Sequence, residues 1–177
     1  MFPSRMTQGT LERVGIEIVA GAAPLRRIGD DDDLKGAALL FASAAGKHKM
    51  AFVEWGDPEN PRVLVCVHGL TRSGRDFDFL AQRLAGDYRV VCPDVVGRGR
   101  SDWLADKSLY GMPQYCADML TLLAHVGAPT VHWLGTSMGG ALGIAAAATT
   151  LRGRITRLLL NDIAPTMPKP AHERIAT

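Results

Sequence analysis

The sequence predicts an α/β chain: a mostly parallel sheet with helices on both faces and an antiparallel hairpin at its N-terminal edge. Three observations predict it. From residue 62 onward, apolar runs of strand length alternate with segments of helical spacing, the pattern of repeated βαβ units. The runs themselves are nearly continuous in apolar residues, as strands covered on both faces require. Ahead of them, residues 38–43 and 48–55 form two short apolar runs around a turn containing Gly46, which reads as a hairpin.

Composition narrows the class. At 177 residues, 47% hydrophobic and 21% charged, the chain has the makeup of one globular domain. A net charge of +2 without a basic stripe interleaved with aromatics argues against a nucleic-acid partner. The run Asp30 to Asp33 reads as a solvated loop; a metal-binding tract is the alternative, but no calcium-loop spacing follows it. The cysteines Cys66, Cys92 and Cys116 are odd in number and lack CxxC pairing, so neither a disulfide framework nor a zinc site is expected. Their apolar settings suit a reducing compartment. The N-terminus lacks the apolar core of a signal peptide, and no run of 18 apolar residues exists. A cytoplasmic protein without a membrane span is expected.

In chain order, residues 1–36 form a poorly patterned extension, in which Val14, Ile16 and Ile18 alternate like a strand before a breaker-rich acidic link. Residues 37–164 form the core. After the hairpin, "WGDPENP" is a turn. "RVLVCVHG" (62–69) is the first parallel strand. Residues 75–86 carry Phe77, Leu80, Ala81 and Leu84 at helical spacing, with Gly86 as a stop. "YRVVCPDVVG" (88–97) is the next strand. Residues 113–127 form a helix that starts at Pro113, gathers Cys116, Met119, Leu120 and Leu123 on one face and stops at Gly127. Strand 130–135, helix 138–151 and strand 154–162 complete the core. Residues 165–177, with three prolines, are a tail or the start of a lid.

Functional groups in such sheets gather beyond the carboxyl ends of the strands. There the sequence places Gly135-Thr136-Ser137-Met138-Gly139, between a strand and a helix. This is the context of a nucleophile elbow, in which a strained serine needs glycine two residues to either side. The helix N-terminus favours an oxyanion, and the Met138 amide is placed to donate to it. A phosphate loop fails because Ala141 stands where lysine belongs; a plain small-residue turn is the remaining alternative. At the end of the first parallel strand, Gly69 follows His68, and the Leu70 amide is the candidate second oxyanion donor. His68 itself reads as a loop organiser rather than a general base. Asp94, Gly97, Gly99 and Ser101 form D-x-x-G-x-G-x-S, which fails as a dinucleotide fingerprint because Asp102 replaces the third glycine. It reads as a structured loop bordering a pocket.

His68-Gly69, the D-x-x-G-x-G-x-S loop and the Gly-Thr-Ser-Met-Gly-Gly bend, in this order, resemble the α/β-hydrolase superfamily, and more narrowly its bacterial esterase and lactonase-like members. The resemblance covers residues 38–168, including "LLLNDIAP" at the end of strand six. It implies a Ser–acid–His triad with Ser137 as nucleophile, an acyl-enzyme, and a small-molecule ester, thioester or lactone as substrate, without cofactor or metal. It also implies a lid after strand six, an acid that more often follows strand seven, and a histidine after strand eight. Counted this way, the chain reaches strand six and the start of the lid. Asp162 stands where some members keep their acid; its alternative role is a backbone contact in the following turn. Of the histidines, only His172 follows Ser137; His125, near a helix C-terminus, is expected to suit a positive charge. An enzyme impaired by a missing triad histidine is therefore expected, with a non-catalytic remnant or binding module as the alternative. The open edge of strand six calls for cover by an oligomeric partner or a further C-terminal segment.

Overall fold

The computed structural model describes residues 34–44 and 46–163. The alternating Val14, Ile16 and Ile18, the acidic run, the proline-rich tail and His172 lie outside the described residues.

The described chain builds one mixed sheet. Its strands are β1 (Leu34–Ser43), β2 (Gly46–Trp55), β3 (Val63–Val67), β4 (Arg89–Pro93), β5 (Val131–Thr136) and β6 (Ile155–Asn161), in the spatial order β1-β2-β4-β3-β5-β6. β1 and β2 form the antiparallel hairpin, and β2 runs antiparallel to β4. β4, β3, β5 and β6 are mutually parallel. Three helices connect the parallel strands: α1 (Asp78–Leu84), α2 (Met112–Val126) and α3 (Met138–Ala148). No described helix is long and apolar enough to cross a membrane.

Two cores lie on opposite faces of the sheet. Phe77 and Ala81, at and within the start of α1, pack on Trp55, Cys66, Val90 and Cys92. On the other face, Met119, Leu122 and Leu123 of α2 and Leu142 of α3 pack on Phe52, Val65, Val91 and Trp133. Burying side chains of this size contributes about 1.5–3 kcal/mol each. The β3–β4 register sets Cys66 beside Cys92, both fully buried. Their mutual hydrogen bond, with burial, holds the Cys92 thiol well above its usual range, so it behaves as core rather than as a nucleophile.

The elements differ from the sequence expectation mainly at their ends. β1 starts four residues earlier than its apolar run, because its whole length pairs with β2. The helix expected over 75–86 opens as a 3-10 turn, Gly74–Phe77, and closes at Leu84, where the Asp87 and Tyr88 amides both turn back to the Leu84 carbonyl. α3 ends at Ala148 rather than Leu151. The Thr149 hydroxyl donates to the Ala145 carbonyl at 2.6 Å, and the Leu151 amide reaches back to Ala146, competing with a further helical turn.

The spacing of glycines in α3 follows from how closely it lies on the sheet. A side chain at Gly139 would overlap the Val67 carbonyl of β3, and one at Gly143 would overlap the Trp133 indole. That indole is buried and donates to the Gly139 carbonyl at 3.0 Å.

Polar contacts tie the hairpin to its neighbours. Buried His48 meets the buried Asp118 carboxylate of α2 at 3.2 Å, and Gln114 bridges from Asp118 at 2.8 Å to the Ala42 carbonyl at 3.1 Å. Arg89 grips Glu54 through two nitrogens, at 2.8 and 3.3 Å, and caps the C-terminal end of α2 at the Val126 carbonyl.

Asp118→Ala leaves the His48 ring buried without its partner. We expect a loss of about 2–3 kcal/mol, read as a lowered urea midpoint at unchanged m-value. Gly139→Ala forces α3 off the sheet. Its expected cost is about 3 kcal/mol or more, seen as loss of soluble yield or of the cooperative transition.

Candidate active site

The spatial order reverses at β3: the chain leaves it through α1 to β4 on one side and, after β4, returns through α2 to β5 on the other. The loops beyond β3 and β5 therefore diverge and open a crevice at the carboxyl ends of the strands. Gly69 and Ser137 border it. A β-carbon on Gly69 would lie 3.8 Å from that of Ser137.

Ser137 joins β5 to α3 with φ of +50° and ψ of −111°, a left-handed conformation that costs a non-glycine residue about 1–3 kcal/mol. The surroundings enforce it. The Ser137 amide donates to the Asn161 carbonyl of β6 at 2.9 Å, while its carbonyl accepts from Gly140 and Ala141. Asn161 also donates from its side chain to the Thr136 hydroxyl at 3.2 Å. A side chain on Gly135 would overlap the backbone of Gly139, so the two glycines flanking the serine admit one another. The amide of Met138, the first residue of α3, has no acceptor within the helix and lies at its positive end.

The loop after β3 is set by His68, which is fully buried. Its Nδ1 donates to the Gly69 carbonyl at 2.7 Å, and its Nε2 accepts the Val95 amide at 2.9 Å. Those two bonds demand the neutral ring, and burial correspondingly pushes its pKa below the ordinary 6.5. Because a trans peptide points its N–H opposite to its C=O, pinning the Gly69 carbonyl also fixes the direction of the Leu70 amide. That amide donates to no backbone carbonyl among the described residues. With both ring nitrogens engaged, His68 holds backbone rather than moving protons.

Asp94 organises the D-x-x-G-x-G-x-S loop. Buried at the end of β4, it accepts the Gly74 amide at 2.7 Å and the Arg100 amide at 2.9 Å. Gly99 and Gly97 both have positive φ; a side chain on Gly99 would strike the Asp94 carboxylate, and one on Gly97 the Tyr110 ring. Ser101 donates to the Asp94 carbonyl at 2.5 Å and accepts the Ala51 amide at 2.9 Å, tying the loop to β2. A cleft of about 560 Å³ lies between this loop and the one after β3. Leu70, Gly97 and Gly99 line it, and Ser137 does not.

Asp162 follows β6 with φ of +55° and is exposed. Among the described residues neither it nor any histidine is hydrogen-bonded to the Ser137 side chain. His132 sits within β5 against Tyr88, and His48 is held by Asp118. His125 corrects an expectation. It packs edge-on against Phe52, and burial lowers its pKa, so its place near the end of α2 is taken by a neutral ring. No cluster of His, Cys, Asp or Glu among the described residues could hold a metal ion.

Two contributors escaped the sequence reading. Asn161 latches the serine turn from a neighbouring strand, which only strand pairing reveals. Arg98 spans the two loops, donating to the carbonyls of Leu70 at 3.0 Å and Val96 at 2.8 Å and to the Tyr115 hydroxyl at 2.8 Å. Its place between two motif glycines was the one available signal.

The model of the α/β-hydrolase fold matches residues 62–176, and the chain belongs to that family. Within the family, the chain is 59% identical over 133 residues to a 3-hydroxybutyrate-oligomer hydrolase of Cupriavidus necator, a match covering 75% of this chain and 45% of that protein. Among solved structures, an α/β hydrolase from Novosphingobium aromaticivorans aligns with a TM-score of 0.71 at 39% identity, covering 82% of this chain and 50% of that one. A thioesterase domain from the curacin biosynthetic pathway aligns at 0.66 and 25% identity, covering 80% and 52%. The chain thus spans about half the length of the relatives it matches.

His68 and His125 both have lowered pKa values in the fold, so the stability they confer is complete above the ordinary imidazole value of 6.5 and is lost as pH falls below it. Urea unfolding at pH 7.5 and 5.5 should show the lower midpoint at pH 5.5, and His125→Phe should reduce that difference.

Proposed function

We propose that the chain carries the nucleophile half of a serine acyl hydrolase. Ser137 Oγ attacks the carbonyl carbon of an ester, thioester or lactone, and its proton passes to a base. The carbonyl oxygen takes the negative charge, facing the Leu70 and Met138 amides as oxyanion donors. Collapse of that adduct breaks the bond to the leaving oxygen or sulfur, which takes up the proton. Water then attacks the acyl-enzyme, freeing the acid and restoring the serine. The observation that carries this reading is the left-handed Ser137 at the start of α3, beside the Gly69–Leu70 loop. Such strain has no structural use in a plain turn, where glycine would serve without it.

The substrate class follows from the named relative. A 3-hydroxybutyrate oligomer is a short oligoester of a hydroxy acid, and the family's ester chemistry suits it. His48, His68, His125 and His132 are all engaged or placed elsewhere, so the base is His172 or a histidine beyond this sequence. The acid is Asp162 or a carboxylate beyond this sequence. Buried, free cysteines fit a reducing, cytoplasmic setting. The second reading, a non-catalytic binding remnant, draws on the same bend and the absence of a histidine at Ser137 among the described residues.

A fluorophosphonate probe and p-nitrophenyl butyrate separate the two. Labelling at Ser137, with ester turnover that falls at least about 100-fold in Ser137→Ala, is expected of the hydrolase. A folded chain that takes no label at Ser137 overturns the nucleophile assignment.

A further inference from the structure

The cleft beside the serine carries a charge pattern that the acyl chemistry does not require. Its lining includes two guanidinium groups, Arg72 and Arg98, and no carboxylate. Its remaining walls are Leu70, Trp103 and Tyr110, with Thr71 and the loop glycines Gly97 and Gly99. Trp103 is 76% exposed and meets Tyr110 edge-on, with ring centroids 6.4 Å apart. An exposed tryptophan beside a concave, cationic surface is the makeup of a binding wall.

Arg98 is held rigid. Its guanidinium stacks near Tyr110 and Tyr115, at 5.8 and 5.3 Å from their centroids, while Nε and Nη1 make the three hydrogen bonds described above. Nη2 meets no acceptor among the described residues. Arg72 is tethered through Nε to Asp76 at 2.7 Å, which leaves its terminal nitrogens toward solvent. A guanidinium already fixed by its neighbours loses little entropy on meeting an anion, so Arg98 is preorganised for a carboxylate, with the exposed Arg72, ion-paired to Asp76, beside it at the rim.

We propose that this cleft is a carboxylate-binding subsite, holding the free-acid end of a small aliphatic ester between Arg98 and Arg72 with its chain against Leu70 and Trp103. The proposal rests on the acyl-hydrolase reading for its geometry: Leu70 lines the cleft and directly follows Gly69, which borders Ser137, so an ester anchored by its acid end extends from the cleft toward Ser137. It adds a rule of selectivity, that the preferred esters carry a free carboxylate beyond the scissile bond.

Binding can be read without turnover. The full chain with Ser137→Ala is titrated with 3-acetoxybutanoate and with its methyl ester, at low salt, following tryptophan fluorescence. The acid is expected to give a saturable change that Trp103→Phe abolishes, with the methyl ester at least about tenfold weaker. Arg72→Gln, on an exposed side chain, should weaken the acid about fivefold or more and leave the methyl ester unchanged, with far-UV circular dichroism intact. Raising the salt should weaken the acid alone. Equal affinities for acid and methyl ester, or no effect of Arg72→Gln in a folded chain, overturn the subsite. Fluorophosphonate labelling of the wild-type chain is scored separately. Carboxylate selectivity without labelling overturns the nucleophile and keeps the subsite; labelling without selectivity does the reverse.

Discussion

The close approach of α3 to the sheet governs the geometry at the strand ends. With Gly139 against the Val67 carbonyl and Trp133 bonded to the Gly139 carbonyl, the helix cannot rise to relieve the turn that precedes it. The strain at Ser137 is thus imposed by packing two residues away. It persists because the core around Leu142 and Trp133 over-determines the position of the helix. Small residues in α3 are what this contact demands, and their cost in helix propensity and side-chain burial is offset by that proximity.

The loops after β3 and β4 are likewise held by buried polar groups rather than by regular structure. His68, Asp94 and Ser101 are buried, and each spends its hydrogen bonds on backbone of a neighbouring loop or strand. The result is an interlocked rim, in which the loop after β3 depends on the loop after β4, and that loop depends on β2. Arg98 closes the circuit from the outside. A rim of this kind keeps backbone amides aimed in fixed directions, which is the preorganisation that charge stabilisation in a transition state requires.

Much of this was legible in the sequence because it is local. Continuous apolar runs locate β3 and β5 to within a residue or two, the run at 88–97 overshoots β4, which ends at Pro93, and the glycines around Ser137 mark a bend that few other residues could make. What resisted reading is set by pairing between distant segments. Nothing near His48 announces Asp118, seventy positions away. Nothing near Ser137 announces Asn161 as the acceptor of its amide. His125 is misleading for the same reason: position near a helix end argues for charge, while the packing of Phe52, from a different strand, argues for a neutral ring and prevails.

β6 shows where this arrangement is least secure. Leu159 is 60% exposed, and among the described residues the strand pairs only with β5. Yet its last residue, Asn161, accepts the Ser137 amide. The left-handed serine is therefore latched to a strand that, among the described residues, pairs on one side only. Local openings need only the free energy of the element that opens, not that of the whole domain. Each time the end of β6 opens, the serine turn loses its external hydrogen bond, so the persistence of that turn is tied to the local stability of β6.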